Sequence, residues 1–344
     1  MRQAFGQLFD IQPGYLNTTA IGVPPVAAAD AVRDAVEKWR TGSARPAEFD
    51  EWVVEARHAF ADLIGVAATD VAIGASVSQV AGLVAASMPR GASVLVARGE
   101  FTSVTFPFAA QGDLRLTEVE LDDLVSRAPE HDVVAVSVAQ SADGRVVDLV
   151  GLAAAASASG TRIMLDVTQA AGWLPLRLDW ADWVVGCGYK WLMSPRGASW
   201  LAVRRDRREE LVAHSANWYA GEDRWASIYG LPLRLAADAR GLDLSPVWFS
   251  HLGAGVVMPW LAKLDMAQVR EHCVGLADAL LTGLDLPTAG SAIVSVGLPG
   301  ADRALAEAGV VASTRAERAR LAFHLYNTVE DVELALSALR PLRA

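Results

Sequence analysis

Apolar residues recur at helical spacing over Pro24–Trp39 and over Glu48–Ile64, where Gly65 supplies the residue type that most often ends a helix. From Val71 the rhythm changes to short β-rich runs separated by helical stretches. The runs are Val71–Ile73, Ser93–Ala97, Arg115–Val119, Val133–Val138, Arg162–Asp166, Asp182–Gly186 and Ser199–Val203. Such alternation predicts a mainly parallel sheet of these seven strands between helical layers. After Ala213 comes an irregular, Trp-rich stretch, His214–Phe249, too long for an ordinary connector. Leu252–Leu264 and Met266–Leu284 then read as helices, Ile293–Val296, Val310–Ser313 and Arg320–His324 as strands, and Glu330–Leu339 as a closing helix. The pattern predicts an α/β chain with an N-terminal arm over 1–22, a large α/β domain over 23–250 and a small α+β domain over 251–344. No repeat of fixed period is present.

Composition narrows the partners. The chain has 344 residues, 52% hydrophobic and 20% charged, which is a packed globular protein and not a disordered one. A formal charge of −10 offers no basic field for nucleic acid. The longest uncharged run, Val71–Pro89, is interrupted by Gly74, Ser76, Ser78, Gln79, Gly82 and Ser87, so it reads as strand, turn and helix and not as a membrane span. The first residues hold charges at Arg2 and Asp10 and no apolar stretch of signal-peptide length. The two cysteines, Cys187 and Cys273, form neither a disulfide framework nor a zinc-site pair, so no metal is expected and a reducing cytoplasm suits the chain.

Sheets of this kind place ligands at the carboxyl ends of their strands. The run Ile163–Gln169 is an apolar strand ending in Asp166, with Gln169 three residues on. Asp166 reads either as a helix N-cap or as the charge partner of a cofactor ring nitrogen, since a buried acid needs a cationic or hydrogen-bonding partner. Lys190, flanked by Tyr189, Trp191 and Leu192, reads either as a snorkelling lysine or as a poorly solvated amine, nucleophilic enough for a Schiff base. A strand-end acid and a strand-end lysine together match pyridoxal phosphate, which needs both. The turn Gly74–Gln79 lies between strand and helix, where amides and hydroxyls could cradle a phosphate or Ser76 or Ser78 could simply cap the helix. It matches neither GxGxxG nor GxxxxGKS, against a dinucleotide or P-loop ligand. Phe101, just past another strand end, could stack on a flat ring or fill the core.

These residues resemble the class V aminotransferase group of fold-type I pyridoxal phosphate enzymes, which includes cysteine desulfurases, kynureninase and isopenicillin N epimerase-like proteins. The resemblance runs from Tyr15-Leu16-Asn17 to Val332 and is carried by Asp166-x-x-Gln169, by Gly188-Tyr189-Lys190-Trp191-Leu192 and by Ser194-Pro195-Arg196-Gly197. It implies a Schiff base on Lys190, Asp166 on the pyridinium nitrogen, Gln169 on the ring hydroxyl and Phe101 stacked on the ring. It further implies a phosphate site at Ser76, Val77 and Ser78, with Tyr189 as a phosphate contact. Arg320, opening a run that ends Tyr326-Asn327-Thr328, is similar to the family's carboxylate clamp, for which a planar guanidinium is suited. Asn17 and Tyr219 join it as candidate substrate contacts. Leu244-Ser245-Pro246 resembles the family's Gly-Thr-Pro turn, which implies that Ser245 reaches the partner's phosphate in a homodimer.

Two departures matter. Residues 301–320 contain no cysteine where cysteine desulfurases carry their mobile one, and both cysteines present read as structural. Gly188 stands where relatives often have a small polar residue. The expectation is therefore a pyridoxal phosphate enzyme acting on an amino acid, foremost by elimination or carbon–sulfur lysis at the β-carbon without a persulfide. Transamination or epimerisation, or cofactor binding without turnover, are the alternatives. Trp218, Tyr219, Trp225 and Tyr229 read equally as an aromatic substrate pocket or as dimer interface.

Overall fold

The computed structural model describes residues 1–343. Strands β1 (Arg2–Ala4) and β2 (Gln7–Phe9) form a short hairpin in the arm that the sequence suggested would be irregular. The arm is held by its far neighbour in sequence. Arg2 and the Gly14 amide donate to the buried carboxylate of Asp331, the latter at 2.7 Å. Asn327 donates to the Tyr15 carbonyl at 2.9 Å, and the Tyr326 hydroxyl meets Thr18 Oγ1 at 2.5 Å. The Tyr-Asn-Thr run thus clamps the arm in place.

The main sheet holds β3 (Val71–Gly74), β4 (Ser93–Ala97), β5 (Arg115–Val119), β6 (Val133–Ser137), β7 (Arg162–Asp166), β8 (Trp183–Cys187) and β9 (Ser199–Val203). Its order is β3-β9-β8-β7-β6-β4-β5, parallel from β8 to β5, with β9 antiparallel to both of its neighbours. The central strands are buried throughout, as strands covered on both faces must be. Alternate residues serve the two layers. Val184 and Trp200 join the core with Phe60, whereas Trp183, Val185 and Leu201 pack with Val80, Val84 and Phe108 on the other face. Because β9 runs backwards, the ends Gly74, Ala97, Ser137, Asp166 and Cys187 and the start of β9 all lie along one edge of the sheet.

The helix Trp248–Ala262 begins earlier than the expected Leu252 and packs on the helix Asp50–Ile64, with Gly255 against the backbone of Trp52. It therefore sits with the large sheet, and the next helix, Met266–Gly283, packs Val269, Cys273 and Val274 into the large core and Leu276, Leu280 and Leu281 into a second, smaller one. Against that smaller core lies a three-stranded antiparallel sheet in the order β10 (Ile293–Val296), β12 (Arg318–Ala322) and β11 (Ser313–Arg315). The strand expected over 310–313 is only a bridge from Val311 to Tyr15, followed by β11, and the one expected over 320–324 starts at Arg318. The polar Arg315-Ala316-Glu317-Arg318 stretch hid the pairing, because its alternation is not apolar. No helix among the described residues is long and apolar enough to cross a membrane.

Candidate active site

A cleft of about 530 Å³ opens at the carboxyl edge of the sheet. Of the residues expected to hold the cofactor, Ser76, Val77, Ser78, Phe101, Asp166, Gln169, Tyr189 and Lys190 all line it. Asp166 is buried at the end of β7, where it accepts a hydrogen bond from the Thr168 amide at 2.8 Å. Burial pushes its carboxyl up to about 6, against the pull of Thr168 and of the Lys190 charge. Lys190 is 5% exposed, with Nζ 5.1 Å from the Phe101 ring centre and 5.6 Å from that of Tyr189. Burial holds its amine below the usual lysine range. No carboxylate among the described residues pairs with it, so little stands against the neutral, nucleophilic form.

The turn that carries Lys190 is sterically determined. Any side chain at Gly188 would collide with Ser194 Oγ and meet the Trp200 ring at 3.2 Å. Gly188 itself is tied to Ala198 and Ser194 by backbone bonds of 3.0 and 2.9 Å. The glycine that departs from the family pattern is thus required by packing. The arm crosses the same turn, with the Gly22 amide donating to the Tyr189 carbonyl at 2.9 Å and no room for a β-carbon beside the Lys190 carbonyl. Phe101 is placed by Glu100, whose buried carboxylate accepts from the Phe101 amide at 2.7 Å, from Ser137 and from Gln140.

Opposite, Ser76 caps the helix Val77–Ala86, accepting from the Gln79 amide at 3.3 Å. The Val77 and Ser78 amides in the first turn have no partner among the described residues, so they offer donors to an anion at a positive helix end. Gly74 lets the turn close, since a β-carbon there would strike Val80 and Gln79. Arg196 lines the same cleft with its guanidinium 5.3 Å from the Tyr189 ring centre. Amides, an arginine and a lysine without carboxylate or carbonyl partners among the described residues, with a flat aromatic wall and a buried acid, fit a phosphorylated pyridine aldehyde.

Gln169 is more engaged than the sequence suggested. Its amide donates to the Thr19 carbonyl at 3.1 Å and to Ser141 Oγ at 3.2 Å, and its oxygen accepts from Trp191 at 2.8 Å. Ser141 also accepts from Arg320, at 3.0 Å on its hydroxyl and again on its carbonyl. Arg320 is 1% exposed, donates to Ser313 Oγ at 3.1 Å, and has no carboxylate partner among the described residues. Burial and the nearby Arg315 lower it to about 10.

Three expected contacts lie elsewhere. Tyr219 is buried outside the cleft, its hydroxyl donating to Asp50 at 2.9 Å under the guanidinium of Arg224, so it packs within the large domain. Trp225 and Tyr229 are exposed, and Trp218 meets both Tyr219 and Trp225 at 5.3 Å, with none of the four lining the cleft. Asn17 is half-buried two residues before the Thr19 carbonyl that meets Gln169, and Ser245 is exposed on a turn anchored by the buried pair Arg57–Asp243. Ser103, Ser141, Thr168, Cys187 and Arg196 line the cleft without having been singled out for it. Arg196 lay inside a quoted motif, while a serine in a turn carries no signal of its own.

Fold and site together define a pyridoxal 5′-phosphate-dependent enzyme. The aminotransferase class-V family model matches residues 33–296, and the chain belongs to that family. It is 26% identical to the uncharacterized aminotransferase YcbU of Bacillus subtilis over 83% of this chain and 82% of that protein. It is also 26% identical to isopenicillin N epimerase of Streptomyces clavuligerus, over 84% of each chain. Among solved structures, the apo cysteine desulfurase of Thermococcus onnurineus superposes with a TM-score of 0.82 at 20% identity, covering 96% of this chain and 94% of that one. The cystine C-S lyase C-DES, solved with its product cysteine persulfide, gives 0.83 at 18% identity over 96% and 97%.

Proposed function

We propose that this enzyme eliminates a substituent from the β-carbon of an amino acid. The observation that carries the amino-acid reading is a desolvated Lys190 in one cleft with Asp166, beside a buried arginine, Arg320, that donates to Ser141 of the same cleft and has no carboxylate partner among the described residues. Bound pyridoxal phosphate withdraws electrons from the substrate α-carbon. Arg320 binds the substrate carboxylate by charge-assisted hydrogen bonds and so orients the α-hydrogen. Lys190 Nζ takes that proton as general base, a task its lowered basicity and dry surroundings favour. Asp166, held by the Thr168 amide, would keep a proton on the ring nitrogen, and Phe101, which lines the cleft beside Lys190, would offer a flat apolar wall to the ring. The carbon–substituent bond then breaks, the substituent leaving with the bonding pair and taking up the proton held on Lys190, and water releases ammonia and a keto acid.

A persulfide route is disfavoured by the residues. Residues 301–320 hold no cysteine, Cys273 is fully buried, and burial pushes the Cys187 thiol up to about 11. Transamination or epimerisation is the second reading, supported by the names of the relatives at 26% identity. Cofactor binding without turnover is a third. The proposal includes a homodimer in which Ser245 reaches the partner's phosphate and the exposed Trp225, Tyr229, Leu231 and Leu233 are covered. Two buried, unpaired cysteines suit a reducing cytoplasm.

The test is to give the holoenzyme a panel of amino acids with no keto acid present and to follow cofactor absorption, ammonia and keto acid. Steady accumulation of ammonia and keto acid, with the visible band regained unaided, is expected. Bleaching that recovers only on adding a keto acid means transamination, inversion of the α-carbon alone means epimerisation, and a silent panel leaves a binding protein. Sedimentation of the same sample checks for the dimer.

A further inference from the structure

From the amino-acid reading above, on which it rests, we infer that Arg315 recognises a second anionic group, at the end of the substrate's side chain, beyond the carboxylate held by Arg320. Arg315 ends β11 at the tip of the β11–β12 hairpin, and Ser313 on the same strand is directly opposite Arg320. Its guanidinium is exposed, donates only to the carbonyl of its own neighbour Thr314 at 2.7 Å, and has no carboxylate partner among the described residues. Directly across the hairpin stands Arg318, a like-charged pairing that costs stability in an antiparallel sheet. Arg318 turns away onto Ser295, with bonds of 2.9 Å to its hydroxyl and its carbonyl, and leaves Arg315 alone at the hairpin tip. The tip residues Ala316 and Glu317 are both left-handed, at φ of 46° and 60°, an unfavourable conformation that holds the hairpin in a tight turn.

A groove of about 1030 Å³ begins at Ala142, one residue past the Ser141 that meets Arg320. Arg315 and Arg318 lie at its polar side and Leu281, Leu286 and Val294 form its floor. The one carboxylate lining it, Asp143, is already engaged by Arg145. Arg315 is also close enough that its charge opposes protonation of both Lys190 and Arg320. In a chain of net charge −10, Lys190 and Arg196 line the cleft, Arg315 lines the neighbouring groove, and the buried Arg320 donates to the Ser141 of the cleft; one amino-acid carboxylate with one phosphate leaves Arg315 over.

The test is an equilibrium titration of the holoenzyme with L-alanine, aspartate, asparagine, glutamate, glutamine and cysteate, read by the change in cofactor absorption. The acid of at least one isosteric pair binds about fivefold more tightly than its amide, as a partly exposed ion pair allows. Arg315→Gln brings that pair within about twofold while leaving alanine unchanged. Arg320→Gln weakens every ligand alike. If alanine binds but acids and amides do not differ, or if the preference survives in Arg315→Gln, this inference is wrong and the amino-acid reading stands. If not even alanine perturbs the absorption, the amino-acid reading falls and takes this inference with it.

Discussion

The two halves of the cleft are built in different ways. On the cofactor side, Asp166, Thr168, Cys187 and Lys190 come from the ends of adjacent strands, buried and fixed by backbone bonds within one sheet. On the proposed substrate side, Arg320 and Arg315 come from a second sheet, and Arg320 reaches the large domain through one serine 179 residues away. The difference teaches where chemistry and selectivity are stored. A rigid edge holds the groups that must not move relative to the ring. A separate hairpin can change its side chains without disturbing that edge, which agrees with relatives of equal identity bearing different enzyme names.

The sharpest way to break this division is to remove a group on the rigid side. Lys190→Ala is expected to lower turnover by at least about 10³-fold, since general base and covalent attachment are lost together. The same variant should keep the cofactor bound through the phosphate turn but without the absorption of the covalently held form. Turnover within tenfold of wild type would take Lys190 out of the chemistry.

A second effect concerns stability. Asp166 titrates at about 6 in the folded chain, because burial disfavours its charge, against 3.8 for an ordinary carboxyl. Between about pH 4 and 6 the folded protein then binds more protons than the unfolded one, so this group's contribution to stability is lost as pH rises through that window. At about 1.36 kcal/mol per unit, the loss amounts to about 3 kcal/mol. Denaturant unfolding of the cofactor-free protein should show this decline, and Asp166→Asn should flatten it. An unchanged slope in the variant would assign the decline to other groups.

The residues at the strand ends, and Arg320 through its motif, were legible from the chain, whereas the residues around Arg320 were not, for a physical reason. An apolar run closing on an acid, or a lysine between aromatic residues, states both the element and its unusual burial in a few consecutive positions. Ser141 and Arg315 say nothing locally, because their meaning lies in partners brought from afar by the packing of two sheets. Tyr219 shows the opposite error. An aromatic residue in an irregular stretch suggested a pocket, yet its partner Asp50, 169 residues earlier, draws it into the large domain. The 310–313 strand was misplaced because its true ladder is arginine-rich and carries no apolar alternation.

The smallest expected effect tests how tightly the rigid side is packed. Gly188→Ala places a methyl against Ser194 Oγ in a turn whose backbone bonds to Ala198 and Ser194 resist movement. Overpacking of this kind costs about 1–3 kcal/mol. Thermal unfolding should therefore drop by about 2–4 °C for each kcal/mol lost. The double variant Gly188→Ala with Ser194→Gly removes the obstructing hydroxyl, so its loss should be smaller than the sum of the two single losses, as expected of residues in contact. Strict additivity would mean that the turn relaxes around the methyl. The cofactor side would then be no stiffer than the hairpin that carries Arg315, and the contrast between the two halves would rest on bonding pattern alone.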